Sequence, residues 1–232
     1  MKKFLVLLLL TLVAAMSHAA SPTKPIVSVL GDSYSTFEGY VPEGNRVWYS
    51  PKVVNDRTDV TDVRQTWWWQ LITEGGYILG VNESYSGATV SYTGYHGNDY
   101  SDRSFITRLP RIGATDILLI FGGTNDAWTD GPIGEYRYEK LTRGHFYEFR
   151  PAMGYLLTQA VNRFPGTRII CIINDGLKAE VTESIVEICH HTGIEYIRLT
   201  DIDKRSNHPT VKGMTQIKDQ VLDYLRHHPT PK

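Results

Sequence analysis

The sequence predicts an α/β fold, a three-layer α/β/α sandwich in which helices cover both faces of a five-stranded parallel sheet. Two observations support this prediction. Five short apolar runs recur along the chain, and segments with helical spacing separate them. The runs are continuous rather than alternating, which is typical of strands that are buried on both faces. Because strand and helix alternate, the connections are expected to be right-handed crossovers between parallel strands.

The five predicted strands are short and rich in Ile, Val and Leu, as expected for the middle layer of such a sandwich. In chain order they are PIVSVL (25–30), YILGVN (77–82), DILLIF (116–121), RIICII (168–173) and IEYIRL (194–199).

Four segments between and after the strands are predicted to be helices. The first, TWWWQLITEGG (66–76), ends in a glycine pair, which is a common stop signal. The segments 147–163 and 178–192 carry apolar residues at helical spacing. The last helix is predicted to begin at Thr210, because threonine is a favoured N-cap residue.

Two long polar stretches, 34–65 and 84–114, interrupt this alternation and are rich in aromatic residues. Loops of this length in a compact domain are usually functional or disordered, and their aromatic content argues against disorder. Both leave from the carboxyl ends of predicted strands, where open parallel sheets bind ligands. The predicted substrate-contacting residues in these loops are Tyr34, Tyr40, Trp48, Tyr85 and Tyr100.

The first twenty residues, MKKFLVLLLLTLVAAMSHAA, have the pattern of a secretory signal peptide: two lysines, an apolar core and small residues at the end. The core is shorter than the roughly 20 apolar residues of a spanning helix. We therefore expect a protein that is exported to the periplasm or secreted, without a stable membrane anchor. Residues 21–232 are expected to form a single domain.

Composition excludes some classes of protein. Lys plus Arg is 24 and Asp plus Glu is 25, a formal net charge of −1, so the chain lacks the basic surface that nucleic-acid binding needs. The only cysteines are Cys171 and Cys189, too few for a disulfide framework or a thiolate zinc cluster. Buried free thiols are expected at both positions, with a disulfide as the alternative.

Polar motifs follow four of the predicted strands. Because the carboxyl ends of parallel strands lie along one edge of the sheet, residues far apart in sequence can meet there. The motifs are GDSYS (31–35), NESYSGAT (82–89), GGTND (122–126) and DIDKRSNHPT (201–210).

These motifs contain the groups that acyl transfer needs. Ser33 offers a hydroxyl and a backbone N–H in a strand-to-helix turn. Gly87 can bring its backbone N–H close to a substrate without a Cβ in the way. Asn125 carries a side-chain amide donor, so three donors could stabilise one oxyanion. His208 could take the serine proton and pass it to the leaving alcohol.

In order, the four motifs resemble the four sequence blocks of the SGNH hydrolases, also called GDSL esterases and lipases. The resemblance spans residues 31–209. It implies a flavodoxin-like sheet of order 2-1-3-4-5 and a serine ester hydrolase that uses no metal or other cofactor. It also implies that Ser33 is the nucleophile and His208 the base, and that Gly87 and Asn125 join the Ser33 amide in an oxyanion hole.

One position departs from the pattern of that family, which usually has an aspartate three residues before its histidine. Arg205 stands there in this chain. Asp203 is the nearest acid before His208 and is expected to orient the imidazole. The alternatives are Asp201 and a main-chain carbonyl, which would leave a serine–histidine dyad.

The resulting functional prediction is a carboxylic ester hydrolase that forms an acyl-enzyme and removes small acyl groups, such as acetyl, from a small-molecule or polysaccharide carbohydrate ester. The polar aromatic loops and the lack of a long Leu/Phe-rich loop favour this substrate over a fatty chain. One alternative is a lipase, lysophospholipase or thioesterase of the same fold. Another is a carbohydrate-binding protein that kept the fold and lost the chemistry, for which Arg205 is the support.

Overall fold

The computed structural model describes residues 23–52 and 56–229. Its main sheet is parallel throughout and has the order β2-β1-β3-β4-β5, which confirms the predicted fold. The predicted signal peptide, 1–20, lies outside the described residues. The strands are β1 (Ile26–Gly31), β2 (Ile78–Ser84), β3 (Ile117–Phe121), β4 (Arg168–Ile173) and β5 (Glu195–Arg198).

Both faces of the sheet are buried along its central strands β1, β3 and β4, which explains their continuous apolar runs in the sequence. Along β1, Val27 and Val29 face one hydrophobic cluster, whereas Leu30 faces the other. In β4, Ile170 and Cys171 are divided between the clusters in the same way. Cys171 and Cys189 are buried free thiols, as predicted.

The four longest helices pack on the two faces of the sheet in pairs. The helices are α1 (Trp67–Gly75), α2 (Phe105–Arg108), α3 (Thr124–Trp128), α4 (Phe149–Arg163), α5 (Ala179–Thr192) and α6 (Val211–His227). α1 packs against α6 on one side of the sheet, and α4 packs against α5 on the other. The predicted caps are confirmed, because the Thr210 hydroxyl accepts a hydrogen bond from the Gly213 amide and Gly76 ends α1 with φ +71°.

The sequence prediction missed a small antiparallel hairpin between β5 and α6. It consists of β6 (Lys204–Arg205) and β7 (His208–Pro209). Within residues 23–52 and 56–229, no helix combines the length and apolar character needed to span a membrane.

Candidate active site

Ser33 lies at the carboxyl end of β1, in the 3-10 turn Ser33–Ser35. Asp32 caps this turn, because its carboxylate accepts a hydrogen bond from the Tyr34 amide at 3.0 Å. As the first residue of the turn, Ser33 has no intrahelical acceptor for its own N–H. The turn therefore presents both the hydroxyl and the amide of one residue at the edge of the sheet.

Ser33 and His208 are brought together although 175 positions separate them in the chain. Ser33 Oγ lies 2.9 Å from His208 Nε2. The two residues are 2% and 6% exposed, so bulk water competes little for this hydrogen bond. A buried hydroxyl within hydrogen-bond distance of an imidazole is the arrangement that activates a serine nucleophile.

The hairpin holds His208 through its backbone. Ser206 and Asn207 connect β6 and β7, and both have positive φ, at 50° and 61°. A two-residue connection with both φ values positive is the type I′ geometry, whose twist matches that of the flanking strands. The turn places the Ser206 carbonyl oxygen 3.0 Å from His208 Nδ1.

This hydrogen bond sets the tautomer of His208, and burial sets its basicity. When Nδ1–H donates to the Ser206 carbonyl, the lone pair of Nε2 faces Ser33. Burial lowers the pKa of His208 to about 4, while the hydrogen bond to Ser206 opposes the shift and the positive charge of Lys204 adds to it. The imidazole is therefore neutral at neutral pH and ready to accept a proton.

The expectation that Asp203 orients His208 is wrong in this structure. The Asp203 carboxylate instead accepts a hydrogen bond from the Thr210 hydroxyl, at the start of α6. Asp201 is exposed and, within the described part of the chain, makes no hydrogen bond to His208. Arg205, at the position of the usual acid, pairs with His208 across the hairpin. The main-chain alternative is the one that the geometry favours.

Asn125 lies in α3 and is 2% exposed. Its Oδ1 accepts a hydrogen bond from the Tyr95 hydroxyl at 2.7 Å, and its Nδ2 donates to the Ala88 carbonyl at 2.9 Å. These two partners fix the orientation of the amide. Because an amide nitrogen has two hydrogens, one N–H remains for a substrate oxygen.

Gly87 lies in a turn after β2 that is hydrogen-bonded to the end of β1, close to Ser33 in the chain. The amide of Tyr85 in that turn donates to the carbonyl of Gly31, the last residue of β1, at 3.2 Å. Gly87 has φ +84°, and a Cβ built there would meet no heavy atom within 4 Å. Glycine therefore suits this position because of the left-handed backbone conformation and not because of crowding, since the space beside it is open.

Asp126, the residue after Asn125, connects α3 to the loop that follows β2. Asp126 accepts hydrogen bonds from the amides of Val90 and Ser91 at 2.8 and 3.0 Å. Burial raises the pKa of Asp126 to about 6. Its role is structural: it fixes the loop after β2 against α3, and thereby the position of Asn125.

Two of the predicted substrate-contacting residues, Trp48 and Tyr34, contact His208 or the hairpin that holds it. Trp48 stacks on the imidazole, with ring centroids 3.6 Å apart and planes 6° from parallel. Tyr34 is fully buried, and its hydroxyl donates to the Asn207 carbonyl of the hairpin turn. The expectation that Tyr34 contacts substrate is therefore wrong, because its ring has no exposed surface.

The other three predicted aromatic residues occupy different surroundings. Tyr40 is 41% exposed and packs against Trp68 and Trp69, with ring centroids 6.0 and 5.7 Å away. The Arg103 guanidinium lies 5.7 Å from the ring centroid of Tyr85 and 4.6 Å from that of Tyr100. None of the three makes a ring contact with His208 among the described residues.

Sequence reasoning missed two residues that border the site. Tyr95 holds the Asn125 amide, and the Trp128 ring lies 5.8 Å from the His208 ring. Trp128 follows Asn125 by three positions, a helical spacing that could have indicated it. In the described ranges, 23–52 and 56–229, no group of three His, Cys, Asp or Glu side chains is placed to hold a metal ion.

Comparison with known proteins agrees with this fold. The model of the GDSL-like lipase/acylhydrolase family matches residues 25–225. A protein from Bacteroides ovatus described as a GDSL-like lipase is 50% identical, with a TM-score of 0.87, and the match covers 89% of this chain and 100% of that one. Its counterpart from Bacteroides uniformis is also 50% identical, with a TM-score of 0.86 and coverage of 88% and 97%.

More distant solved structures share the fold alone. An acetyl xylan esterase from Butyrivibrio proteoclasticus is 16% identical, with a TM-score of 0.54, and the match covers 88% of this chain and 64% of that one. No curated protein sequence matches the chain.

Proposed function

The chain belongs to the GDSL-like lipase/acylhydrolase family, and from this premise we propose that it is an exported serine ester hydrolase that removes small acyl groups, acetyl in particular, from carbohydrate. The observation that carries the proposal is the 2.9 Å hydrogen bond between Ser33 Oγ and His208 Nε2. In this proposal residues 1–20 are a signal peptide, and residues 21–232 are one hydrolase domain.

Acylation begins when Ser33 Oγ attacks the ester carbonyl carbon and His208 Nε2 takes the hydroxyl proton. The carbonyl oxygen becomes an oxyanion, which the free N–H of Asn125 and the amides of Ser33 and Gly87 stabilise. His208 then gives its proton to the leaving alcohol, and an acyl-serine remains. Deacylation repeats these steps with a water molecule, which His208 deprotonates.

The backbone partner of His208 weakens the case for an inactive binding protein. That case depended on Arg205, which replaces the usual acid. The Ser206 carbonyl accepts the Nδ1–H bond at 3.0 Å, so the imidazole keeps its tautomer without a carboxylate. Arg205 therefore does not imply lost chemistry.

The acetyl and carbohydrate parts of the proposal have separate support. The loops at this edge of the sheet combine aromatic and polar residues, which suit sugar rings. Among proteins that share the fold, one is an acetyl xylan esterase, and another, from Clostridium thermocellum, is a family two carbohydrate esterase solved in complex with cellohexaose.

Covalent labelling by a fluorophosphonate tests for an activated serine. We expect stoichiometric labelling of the wild type, complete loss in Ser33→Ala, and unchanged labelling in Ser101→Ala, a control serine on a surface loop. No labelling of well-folded wild-type protein would reject the hydrolase and favour the binding protein.

Acyl-chain preference tests the substrate. We expect kcat/KM to be higher for p-nitrophenyl acetate than for p-nitrophenyl octanoate. A higher value for the octanoyl ester would reject the deacetylase and favour the lipase or thioesterase alternative.

A further inference from the structure

A small cavity adjoins the oxyanion side of the active site. It has a volume of about 210 Å³, and Tyr95, His96, Trp128 and Asp130 are among its lining residues. Two of its lining residues, Tyr95 and Trp128, also contact residues of the active site. The Tyr95 hydroxyl donates to Asn125 Oδ1 at 2.7 Å, and the Trp128 ring lies 5.8 Å from the ring of His208. A group in this cavity is therefore one side chain away from both the base and the oxyanion donor.

The size of the cavity limits what it can hold. Pockets for drug-sized ligands usually have volumes of at least about 300 Å³. This cavity, at about 210 Å³, is smaller and has room for a single ring. An acetyl group would leave most of it empty, and an oligosaccharide would not fit inside it.

The lining combines apolar rings with free polar groups. Tyr95 and Trp128 supply aromatic surface, which suits the C–H faces of a pyranose. His96 and Asp130 are exposed, and within the described residues the His96 ring makes no hydrogen bond. Among the residues that the structure describes, the Asp130 carboxylate has only a distant ion pair with Lys178, at 3.8 Å. Both side chains are free to bind hydroxyl groups.

The backbone at His96 is held in an unusual conformation. His96 has φ +60° and ψ +26°. These angles lie in the left-handed region, which most residues other than glycine avoid. Hydrogen bonds across the turn maintain the conformation, from the Gly94 amide to the Asn98 carbonyl at 2.8 Å and from Asn98 Nδ2 to the Tyr95 carbonyl at 2.9 Å. Backbone strain that the surrounding structure maintains is common at ligand sites. Here the strained residue lies in the turn Tyr95–Gly97, which forms one wall of the cavity.

We infer that this cavity binds the alcohol part of the ester as one pyranose ring, an inference that rests on the proposed deacetylase function. Tyr95 and Trp128 contact the ring surface, while His96 and Asp130 bind its hydroxyls. Because Tyr95 also holds Asn125, the same side chain joins sugar binding to the oxyanion hole.

The test compares two acetyl esters that share the acyl group. Xylose tetraacetate presents a pyranose, and p-nitrophenyl acetate does not. For each protein the measured quantity is the ratio of kcat/KM for the sugar ester to kcat/KM for the aryl ester. A lost hydrogen bond is worth roughly 1 kcal/mol, so we expect this ratio to fall about fivefold in His96→Gly and in Asp130→Ala, mainly through a higher KM for the sugar ester.

His96→Gly suits this test because glycine accepts the left-handed backbone without strain. Lys140→Gly is the matched control, since Lys140 is also exposed, has φ +51° and is not among the lining residues of the cavity. The control should keep the wild-type ratio.

Three results would overturn the inference. The ratio could stay at the wild-type value in both cavity variants, or it could fall equally in Lys140→Gly. Alternatively, the cavity variants could change the preference between acetyl and butyryl aryl esters, which would assign the cavity to the acyl group. The proposed hydrolase fails separately, if the wild type neither hydrolyses p-nitrophenyl acetate nor reacts with a fluorophosphonate.

Discussion

The two halves of the candidate active site are held in different ways. On the oxyanion side, side chains fix the geometry: Asp32 caps the Ser33 turn, and Tyr95 orients Asn125. On the base side, the backbone fixes it, because a hairpin with two left-handed residues brings the Ser206 carbonyl to His208.

This difference shows how the imidazole of His208 can be oriented without a carboxylate. A carbonyl oxygen accepts the Nδ1–H bond as a carboxylate would, but it brings no negative charge. The imidazolium that forms during catalysis therefore has no ion pair to stabilise it, and burial lowers the pKa of His208 to about 4. On the oxyanion side, substitutions that remove a side-chain group should lower activity most. On the side of His208, substitutions that change the backbone conformation of the hairpin should lower it most.

The largest expected effect is on the side-chain half. Asn125→Ala removes an oxyanion donor, so we expect kcat to fall about 10²–10³-fold with little change in KM. Tyr95→Phe keeps the donor but removes the hydrogen bond that orients it, and a loss of about tenfold is expected. Steady-state kinetics on p-nitrophenyl acetate measure both. A loss of kcat below about tenfold in Asn125→Ala would show that the amide does not stabilise the transition state as an oxyanion donor.

The same difference explains what the sequence could predict. Ser33, Asn125 and His208 follow predicted strand ends, and their side chains are chemically specific, so their convergence follows from the topology. Every residue has a carbonyl, however, so nothing in the type of residue 206 indicates that its backbone orients the base.

The aromatic residues of the long loops were harder to place. Trp48 and Tyr34 both lie in the stretch predicted to contact substrate, but the structure stacks one on the His208 ring and buries the other beneath the hairpin. Aromatic side chains suit core and ligand contacts equally, and loops without periodicity do not show which side faces the protein.

A second prediction concerns the hairpin turn. Ser206→Val puts a β-branched residue at positive φ, which costs about 1–2 kcal/mol and displaces the carbonyl, so kcat should fall about 10-fold to 100-fold. Ser206→Gly keeps the carbonyl and relieves the strain, so its kcat should stay within about twofold of wild type and its Tm should rise. A comparable loss in Ser206→Gly would assign the role to the serine hydroxyl instead of the backbone.

A third prediction concerns stability as a function of pH. His208 has a folded-state pKa of about 4, below its ordinary value of 6.5, so the unfolded chain binds more protons between these values. The contribution of neutral His208 to stability is present above pH 6.5 and is lost as the pH falls towards 4. The shift corresponds to about 3 kcal/mol.

His208→Gln isolates this contribution from the other buried groups. The free energy of unfolding of wild type minus that of the variant should decrease by about 3 kcal/mol between pH 7 and pH 4. Urea titrations at the two pH values measure it. The raised pKa values of Asp32 and Asp126 act in the opposite direction, but they are common to both proteins and cancel in the difference. A difference independent of pH would show that His208 has an ordinary pKa.

The smallest expected effect is at the expected acid. Asp203→Asn keeps an acceptor for the Thr210 hydroxyl and leaves His208 untouched, so turnover should stay within about threefold of wild type. In a triad with a dedicated acid, the corresponding change lowers kcat by about 10⁴-fold.

The pH profile of kcat/KM tests the central claim, that a backbone carbonyl rather than a carboxylate orients His208. For the free enzyme, the acidic limb of this profile reports the pKa of the base. We predict a limb near pH 4 in the wild type, at the same position in Asp203→Asn. A limb at or above pH 6.5 in the wild type that moves to lower pH in Asp203→Asn would contradict the claim and restore Asp203 as the orienting acid.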